Sequence, residues 1–473
     1  MLCAQSHLTT VYGTETLVSP EVVFRVERIA FLCLSLILDY SVYRLVPTPS
    51  ARIYALVLLA SSYIVHTFQT RPFSNSIEAV LFAIFLVTFQ NVVSPEKRSS
   101  ARVSIKGILS LTYLAFLLAF GIYTRLTFIA FALPVVLETL KWTVRRATQR
   151  ADGFSVFAWG RLVTIPLTVA ILTVLCMALV DTAYFRGEYS AFVVTPLNFL
   201  LYNLSLSNLE EHGLHPRWLH GVVNMPMILG PGLLYYAVLA GLGILKLSSK
   251  KQTKARLGVA EILKRTCFYT IFAAPAILSV QPHQEPRFLI PLLVPAVVLV
   301  SLDGRILRAG KLFWVSWIVA NVFLMILFGV LHQGGVVPSL FRLHDRIRAR
   351  GPDGQFATLN IVYWKTYMPP RHLLAVPEKH FLSGRITFAD LAGTSLESFA
   401  EHLLSHSDTD NTVLVAPFYA VPPQLQRCFV EQTRVFPHLD LDHIGETVEL
   451  GWRDGLSLGI FDVDVECVRE RAV

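Results

Sequence analysis

Charged residues are scarce in this sequence, and the motifs of several common enzyme classes do not occur in it. Only 16% of the 473 residues are Asp, Glu, Lys or Arg, and 53% are hydrophobic, whereas soluble proteins carry roughly 25% charged residues. The sequence has no Walker loop, dinucleotide-binding fingerprint, Gly-x-Ser-x-Gly elbow or Cys-x-x-Cys pair. These absences argue against P-loop and Rossmann enzymes, α/β-hydrolases and zinc-ribbon sites. A mean hydropathy of +0.53 instead predicts an α-helical polytopic membrane protein.

What the sequence does have is a series of long apolar runs. They predict a bundle of about ten membrane spans over residues 29–332, near 29–46, 53–68, 77–93, 107–122, 126–140, 162–181, 222–246, 267–281, 288–302 and 312–332. Pro134, Pro275, Pro291 and Pro295 interrupt three of these runs. Because broken helices at membrane depth persist only where they pack in protein or line a polar cavity, we expect kinked or re-entrant helices around a wet pocket.

Basic residues are concentrated in alternate loops between the apolar runs. The formal net charge of +8 could suggest nucleic-acid binding, but this distribution is the one that membrane insertion requires, so no nucleic acid is expected as a partner. The positive-inside rule places the basic loops in the cytoplasm and both termini on the other side. The sequon Asn203-Leu204-Ser205 falls in the non-cytoplasmic loop 182–221. It predicts glycosylation at Asn203 and a multi-pass protein of the endoplasmic reticulum membrane.

A few ionisable residues lie on the predicted lumenal side, against the general trend. His283, Glu285 and Arg287 fall within five residues, directly before an apolar segment. Charged groups at a bilayer boundary are costly and often mark a site, although a helix start wetted by interfacial water is an alternative. Arg71 and Arg125 are also lumenal by the charge rule. Their planar guanidinium groups suit phosphate oxygens, and snorkelling to ordinary phospholipid head groups is the alternative.

Residues 333–473 differ in character from the apolar region that precedes them. Charges of both signs mix there, and short strand-like runs occur at Thr358–Trp364, Thr412–Pro417 and Leu456–Val465, with a helical run at Leu396–Ser405. This pattern predicts a soluble lumenal domain of mixed α/β type.

Cysteine usage leaves one question open, and histidine usage predicts no metal site. Cys428 and Cys467 of the C-terminal domain can pair in an oxidising compartment or remain two free thiols. His212 and His215 are close in sequence, but no third ligand is evident, so no metal site is predicted.

Residues 1–28 contain neither a spanning run nor a signal-peptide core and are interpreted as a lumenal segment.

Several motifs, taken in order along the chain, resemble a known family. The segments that carry the resemblance are 71–76 (Arg-Pro-Phe-Ser-Asn-Ser), 195–203 (Thr-Pro-Leu-Asn-Phe-Leu-Leu-Tyr-Asn), 208–215, 283–288 (His-Gln-Glu-Pro-Arg-Phe), 332–338 and 366–374. They are similar to glycosyltransferase family 22, mannosyltransferases of the endoplasmic reticulum that use dolichyl phosphate mannose and have the GT-C fold. The resemblance begins near residue 27, so residues 1–28 look unlike the family.

The resemblance implies transfer of mannose from dolichyl phosphate mannose to the third mannose of a GPI precursor glycolipid. The product would be an α-1,2 link formed with inversion, and no cofactor or metal is implied. The substrate-binding residues expected on this basis are His283, Glu285, Arg287, Arg71, Asn75 and Arg125. Among them, Arg287 would contact the lipid phosphate, and Glu285 would orient Arg287 rather than act as a base.

Two departures from the family pattern limit this interpretation. The His-Pro-Asp-Glu string, whose carboxylates are the expected catalytic residues, does not occur in the sequence, so the catalytic base is unknown. Either the chain lacks the first span and the catalytic loop, or it is an inactive homologue acting as an accessory subunit. A sister mannosyltransferase for lipid-linked oligosaccharides is a further alternative, and a lipid transporter is disfavoured because no internal repeat is visible.

The second departure concerns the turn at Arg125, where the family tends to have proline and this chain has Leu126. We expect a less rigid turn as a result. Asp39 lies inside an apolar run, where a carboxylate is a functional suspect, and is interpreted as structural.

Overall fold

The structure is a computed structural model that describes residues 18–94, 104–148, 154–186, 192–205, 214–249, 258–349, 358–405 and 411–471. The chain divides into two compact units. One is formed by Ile29–Phe323, and the other by Leu324–Val473 together with the N-terminal stretch that ends at Arg28.

The first part of the chain is helical throughout the described residues. Its main helices are α1 (Pro20–Leu45), α2 (Pro49–Ala60), α3 (Ser74–Val93), α4 (Ile105–Thr124), α5 (Phe128–Thr148), α6 (Val156–Arg186), α7 (Thr195–Leu204), α8 (Met225–Leu229), α9 (Pro231–Ser249), α10 (Val259–Leu278), α11 (Leu293–Asp303) and α12 (Lys311–Ile326). Residues 286–292 form a 3₁₀ turn that leads directly into α11.

Within the described ranges, five helical segments are long and apolar enough to cross a membrane: Ser74–Val93, Ile105–Thr124, Val156–Arg186, Pro286–Asp303 and Lys311–Leu331. A sixth results if His220–Leu229 and Pro231–Lys246 are counted as one span bent by 110°. The bend falls at Gly230, whose φ of 72° is a conformation that other residues rarely adopt. The protein is therefore a multi-pass membrane protein.

This number is smaller than the ten spans that the apolar runs predict. The run near 53–68 forms only the 12-residue helix α2 followed by a π turn at Val65–Gln69. The run near 267–281 is continuous with the first two turns of α10, which carry Glu261, Lys264 and Arg265. Charge at the ends of such helices shortens the apolar segment that would lie in lipid.

The expected interruption at Pro291 is present in the segment that carries the predicted site. Pro286 and Pro291 have no backbone N–H to donate, so an α-helical hydrogen-bond ladder cannot run through them. The chain instead forms the 3₁₀ turn over Pro286–Leu292 before α11 begins. The last four residues of that turn, Leu289 to Leu292, are buried.

The C-terminal unit contains a five-stranded mixed sheet. It is preceded by α13 (Val336–Ala349), and its strands are β1 (Leu359–Trp364), β2 (Ile386–Leu391), β3 (Asn411–Pro417), β4 (Phe429–Val435) and β5 (Leu458–Val463). Their spatial order is β2-β1-β3-β5-β4. The pairs β1–β2 and β1–β3 are parallel, and β5 is antiparallel to both β3 and β4. The predicted architecture, an α-helical membrane protein with a C-terminal α/β domain, is confirmed.

Both faces of this sheet are covered. On one face Leu340 and Leu343 of α13 belong to the same buried cluster as Ile361 and Tyr363 of β1. On the other face the rings of Trp364 and Phe399 stack with centroids 4.1 Å apart. At the edge of that second cluster Cys428 and Cys467 form a disulfide, with Cα atoms 5.4 Å apart, which is the first of the two possibilities that the sequence left open.

Candidate functional site

His283, Glu285 and Arg287 form one cluster in the structure. Glu285 has an extended backbone and immediately precedes the 3₁₀ turn. Its Oε1 accepts a hydrogen bond from Nη2 of Arg287 at 2.9 Å and lies 3.0 Å from Nε2 of His283. The Nε of Arg287 contacts the other oxygen of the same carboxylate. Glu285 therefore holds the other two side chains, as the sequence suggested for Arg287.

The charge state of Glu285 follows from these contacts. Burial raises the pKa of its carboxyl, but hydrogen bonds from His283 and Arg287, together with their charges, outweigh burial and hold the pKa at about 2. A carboxylate with so low a pKa is a weak base at neutral pH. The geometry therefore suits Glu285 to orienting Arg287 and makes it a poor proton acceptor.

A second ionic group is centred on Arg125, which the sequence analysis had selected as a candidate. Nε of Arg125 lies 3.2 Å from Oε2 of Glu78, with the side chains 18% and 0% exposed, respectively. Nη1 of Arg125 donates to Oγ of Ser74 at 2.7 Å, and Thr127 donates through Oγ1 to Oε1 of Glu78 at 2.6 Å. Sequence reasoning selected Arg125 but missed its partner Glu78.

Aromatic rings connect the two groups. The guanidinium carbon of Arg125 lies 5.5 Å from the ring centroid of Phe288, and that of Arg287 lies 5.6 Å from the ring centroid of Phe73. The ring of His283 is 5.7 Å from that of Phe288. This arrangement follows from the packing of α3, which begins directly after Phe73, against the 3₁₀ turn that contains Phe288.

Burial and mutual charge both act on the Arg125 guanidinium. Burial lowers its pKa, Glu78 opposes that effect, and the charge of Arg287 lowers it further. The two arginines repel each other, but Glu78 and Glu285 pair with them, so these four side chains are balanced in formal charge. An anion placed near both of them would relieve their repulsion.

Hydrogen bonds of Gln284 hold the segment between His283 and Glu285 against residues 215–220. The backbone N–H of Gln284 donates to Nδ1 of His215 at 3.3 Å, and the backbone N–H of His220 donates to Oε1 of Gln284 at 2.8 Å. The His215 ring lies 6.0 Å from that of His283. His215 thus takes part in hydrogen bonding, while His212 lies outside the described residues. Among the residues that the structure describes, no group of three or more His, Cys, Asp or Glu side chains could hold a metal ion.

The remaining predicted residues lie near the start of α3 or elsewhere. Asn75 is buried in the first turn of α3, next to Ser74. Arg71 lies in the loop before α3, with its guanidinium carbon 5.9 Å from the ring centroid of Phe68. Asn203 is half-buried in α7 and donates through Nδ2 to the carbonyl of Phe199 at 2.7 Å. Glycosylation at Asn203 and substrate contacts of Arg71 and Asn75 stay predictions.

Taken together, the two arginines and their carboxylate partners form a partly buried ionic surface at the end of α3 and the 3₁₀ turn that is predicted to be lumenal. Arg287 is 41% exposed, so its guanidinium reaches solvent while Glu285 holds one side of it. Guanidinium groups offer two parallel N–H bonds to a phosphate or carboxylate. The arrangement is suited to binding a phosphate group and to stabilising charge that develops on it.

Comparison with protein families gives a match over most of the chain. The model of the Alg9-like mannosyltransferase family matches residues 4–375, a range that includes most of residues 1–28. GPI alpha-1,2-mannosyltransferase 4 of Homo sapiens is 32% identical over 475 residues, which cover 93% of this chain and 78% of the human protein.

Fungal relatives and one solved structure are also similar. GPI mannosyltransferase 4 of Aspergillus oryzae is 33% identical, with 83% of this chain and 68% of the relative covered. The Emericella nidulans protein of the same name is 35% identical, with 80% and 65% covered, so the chain spans about two thirds of the length of these relatives. The crystal structure of ArnT from Cupriavidus metallidurans bound to undecaprenyl phosphate superposes with a TM-score of 0.48 at 10% identity, covering 92% of this chain and 83% of that chain. By its family match and its identity to the human relative, the chain belongs to the Alg9-like mannosyltransferase family, as the sequence motifs predicted.

Proposed function

We propose that this chain transfers mannose from dolichyl phosphate mannose to the third mannose of a GPI precursor glycolipid, forming an α-1,2 link on the lumenal face of the endoplasmic reticulum membrane. The observation that carries the proposal is the pair of guanidinium groups, Arg125 and Arg287, which lie beside neighbouring aromatic rings and are each held by a carboxylate. The names of the relatives supply the acceptor, a GPI glycolipid.

The chemistry proposed is a single displacement with inversion. The 2-hydroxyl of the acceptor mannose attacks C1 of the donor mannose, the bond from C1 to the phosphate oxygen breaks, and dolichyl phosphate leaves. A carboxylate base takes the proton of the attacking hydroxyl. Arg287 and Arg125 stabilise the negative charge that accumulates on the departing phosphate. His283 and Arg287 both contact the carboxylate of Glu285, which keeps His283 close to Arg287.

Binding of the leaving group tests this role without depending on turnover. Dolichyl phosphate is titrated into the purified chain in detergent, and bound lipid is measured by native mass spectrometry. A hydrogen bond to a charged group contributes about 1.5–3 kcal/mol, so Arg287→Ala should weaken binding by about tenfold or more. Arg308→Ala removes an exposed arginine from a different turn and serves as the matched control.

Activity is measured in the same variants. Microsomes from cells that lack fourth-mannose addition are supplied with the chain, and the GPI precursors are analysed for the added mannose. We expect Arg287→Ala to abolish the addition and Arg308→Ala to preserve it. Undiminished lipid binding and undiminished transfer in Arg287→Ala would refute the assigned role.

The lumenal orientation is a further part of the proposal. Asn203 lies in the loop that the charge rule places in the lumen, and its side chain is partly exposed. We expect the chain from cells to shift in mobility after endoglycosidase treatment and Asn203→Gln to abolish that shift. A chain that shows no glycan, and whose loop 182–221 is labelled from the cytosol, would contradict this orientation.

A further inference from the structure

The C-terminal unit contains a polar cleft of about 340 Å³, here named the Arg346 cleft. Arg342 and Arg346 line it from α13, Gln432 and Thr433 from β4, and Ile460 and Asp462 from β5. Its volume is at the small end of the range of ligand pockets, roughly 300–1,000 Å³. The cleft is therefore large enough for a polar head group but not for a lipid with its chains.

The local structure explains why these side chains converge. Arg342 and Arg346 are four residues apart on a helix, which puts them on the same face. On the opposing side β4 contains a bulge, because Glu431 pairs with Phe461 and Thr433 with Ile460, which leaves Gln432 without a partner in the ladder. Bulges redirect side chains and are frequent beside binding sites.

The charges in the cleft do not balance. Nη2 of Arg346 donates to Oδ1 of Asp462 at 2.5 Å, so Asp462 balances the charge of this guanidinium. Its Nη1 is buried and has no hydrogen-bond partner within the described ranges. Arg342 adds a second positive charge at the exposed rim. With two arginines and one aspartate lining it, the cleft has a net positive charge and an unused buried donor.

We propose that the Arg346 cleft binds a phosphate group. A buried N–H without an acceptor costs about 1–3 kcal/mol. Nη1 of Arg346 has almost no accessible surface, so an anionic oxygen recovers that cost only when the guanidinium turns toward the cleft. Asp462 fixes the plane of the guanidinium, Arg342 supplies the second cation, and the Thr433 hydroxyl and Gln432 amide are further donors. Arginine is suited to this role because its planar fork matches phosphate geometry.

This site is distinct in its residues from the Arg125 and Arg287 group and does not depend on mannosyl transfer. The phosphate could be free inorganic phosphate or part of a glycolipid or phospholipid head group, since the same donors serve both. The size of the cleft, which exceeds a single phosphate, favours an ester with polar groups attached.

The experiment measures binding to the purified full chain in detergent by calorimetry. It is carried out in the Arg287→Ala background so that phosphate bound at the other site is not counted. Inorganic phosphate and glycerol 3-phosphate are the two ligands. Arg346→Gln should weaken binding of either ligand by about tenfold or more. Arg348→Gln, an exposed arginine of the same helix outside the cleft, should leave binding unchanged.

Two further variants protect the test from a folding defect. Arg346→Lys keeps the charge but removes the fork, so it should bind with intermediate affinity. Arg342→Gln changes only an exposed residue and should weaken binding with no change in melting temperature. A preference of tenfold or more for glycerol 3-phosphate supports a head group as the ligand, and equal affinities support free phosphate. Absence of binding to the chain, or an equal loss in Arg348→Gln, would overturn the proposal.

Discussion

Replacing Glu78 by Gln should destabilise the helical unit and weaken lipid-phosphate binding together, because Arg125 would lose its buried counter-charge. The side chain of Glu78 is fully buried, and Arg125 is only 18% exposed. Removing one partner of a buried ion pair costs about 3–5 kcal/mol, since the remaining charge is left uncompensated. The shift is roughly 2–4 °C per kcal/mol for 150–250 residues and somewhat less for the larger helical unit, so the melting temperature should fall by about 5 °C or more.

A surface ion pair on a neighbouring helix provides the control for this loss. Nζ of Lys141 lies 2.7 Å from Oε1 of Glu138 on α5, with the lysine side chain 58% exposed. Such pairs contribute about 0–1 kcal/mol. Glu138→Gln therefore removes the same chemical group as Glu78→Gln, and its melting temperature should stay close to that of the unmodified chain.

The double variant Glu78→Gln with Arg125→Gln separates the pair from its two members. If the charges are coupled, removing both leaves no uncompensated ion, and the double variant should be destabilised by less than the sum of the single changes. Melting is followed by tryptophan fluorescence in detergent. Lipid binding should nevertheless stay weak, because Arg125 is absent in the double variant.

Dolichyl phosphate binding distinguishes positioning from mere stability. In Glu78→Gln the guanidinium of Arg125 is still present, but it loses its ion pair while its hydrogen bond to Ser74 remains. Binding measured below the melting temperature of the variant should weaken. The reasoning is wrong if Glu78→Gln melts as Glu138→Gln does, or if the double variant shows simple additivity.

Two further predictions concern positions outside this pair. Burial lowers the pKa of His438 to about 4, below the value of about 6.5 in the unfolded chain. The contribution of neutral His438 to the free energy of unfolding is therefore fully present above pH 6.5. It falls by about 3 kcal/mol in total as the pH drops to 4. The melting temperature of the unmodified chain should therefore decline between pH 7 and pH 5 more than that of His438→Phe, and parallel curves would contradict this. Leu126→Pro should raise the free energy of unfolding by about 0.4–1 kcal/mol. Arg125 is extended, Phe128 donates to the Arg125 carbonyl, and the Leu126 N–H donates no hydrogen bond within the described residues, so a proline fits the turn. A lower melting temperature would show that proline does not fit there.

The C-terminal sheet shows which strands a sequence can reveal. The three predicted strand-like runs correspond to β1, β3 and β5, which are the central strands of the sheet. Their residues are mostly buried, so each forms a recognisable apolar run. The two strands that were missed, β2 and β4, lie at the edges and are largely half-exposed or exposed. Edge strands tolerate polar residues on both faces, so their sequence pattern is weak.

At the candidate site, contacts between residues close in sequence could be predicted, whereas contacts between distant residues could not. The contact of Glu285 with His283 and Arg287 involves residues two positions apart, so the sequence alone suggested it. The contact of Arg125 with Ser74 joins residues 51 positions apart and depends on how α3 packs. The expectation that the Arg125 turn is less rigid without proline stays a prediction, and it was made without knowledge of the contacts of Arg125 with Ser74 and Glu78.

Glu78 illustrates what a rule about intramembrane charge can and cannot supply. The rule that drew attention to Asp39 applies equally to Glu78, because both lie inside apolar runs. Packing separates them: Asp39 is half-buried on α1, whereas Glu78 is fully buried on α3. A fully buried, charged carboxylate requires a cation at the same depth, and the arginines predicted to be lumenal are the available cations. The sequence could thus predict that Glu78 has an arginine partner, but choosing Arg125 over Arg71 or Arg287 requires the folded arrangement of α3, α4 and the 3₁₀ turn.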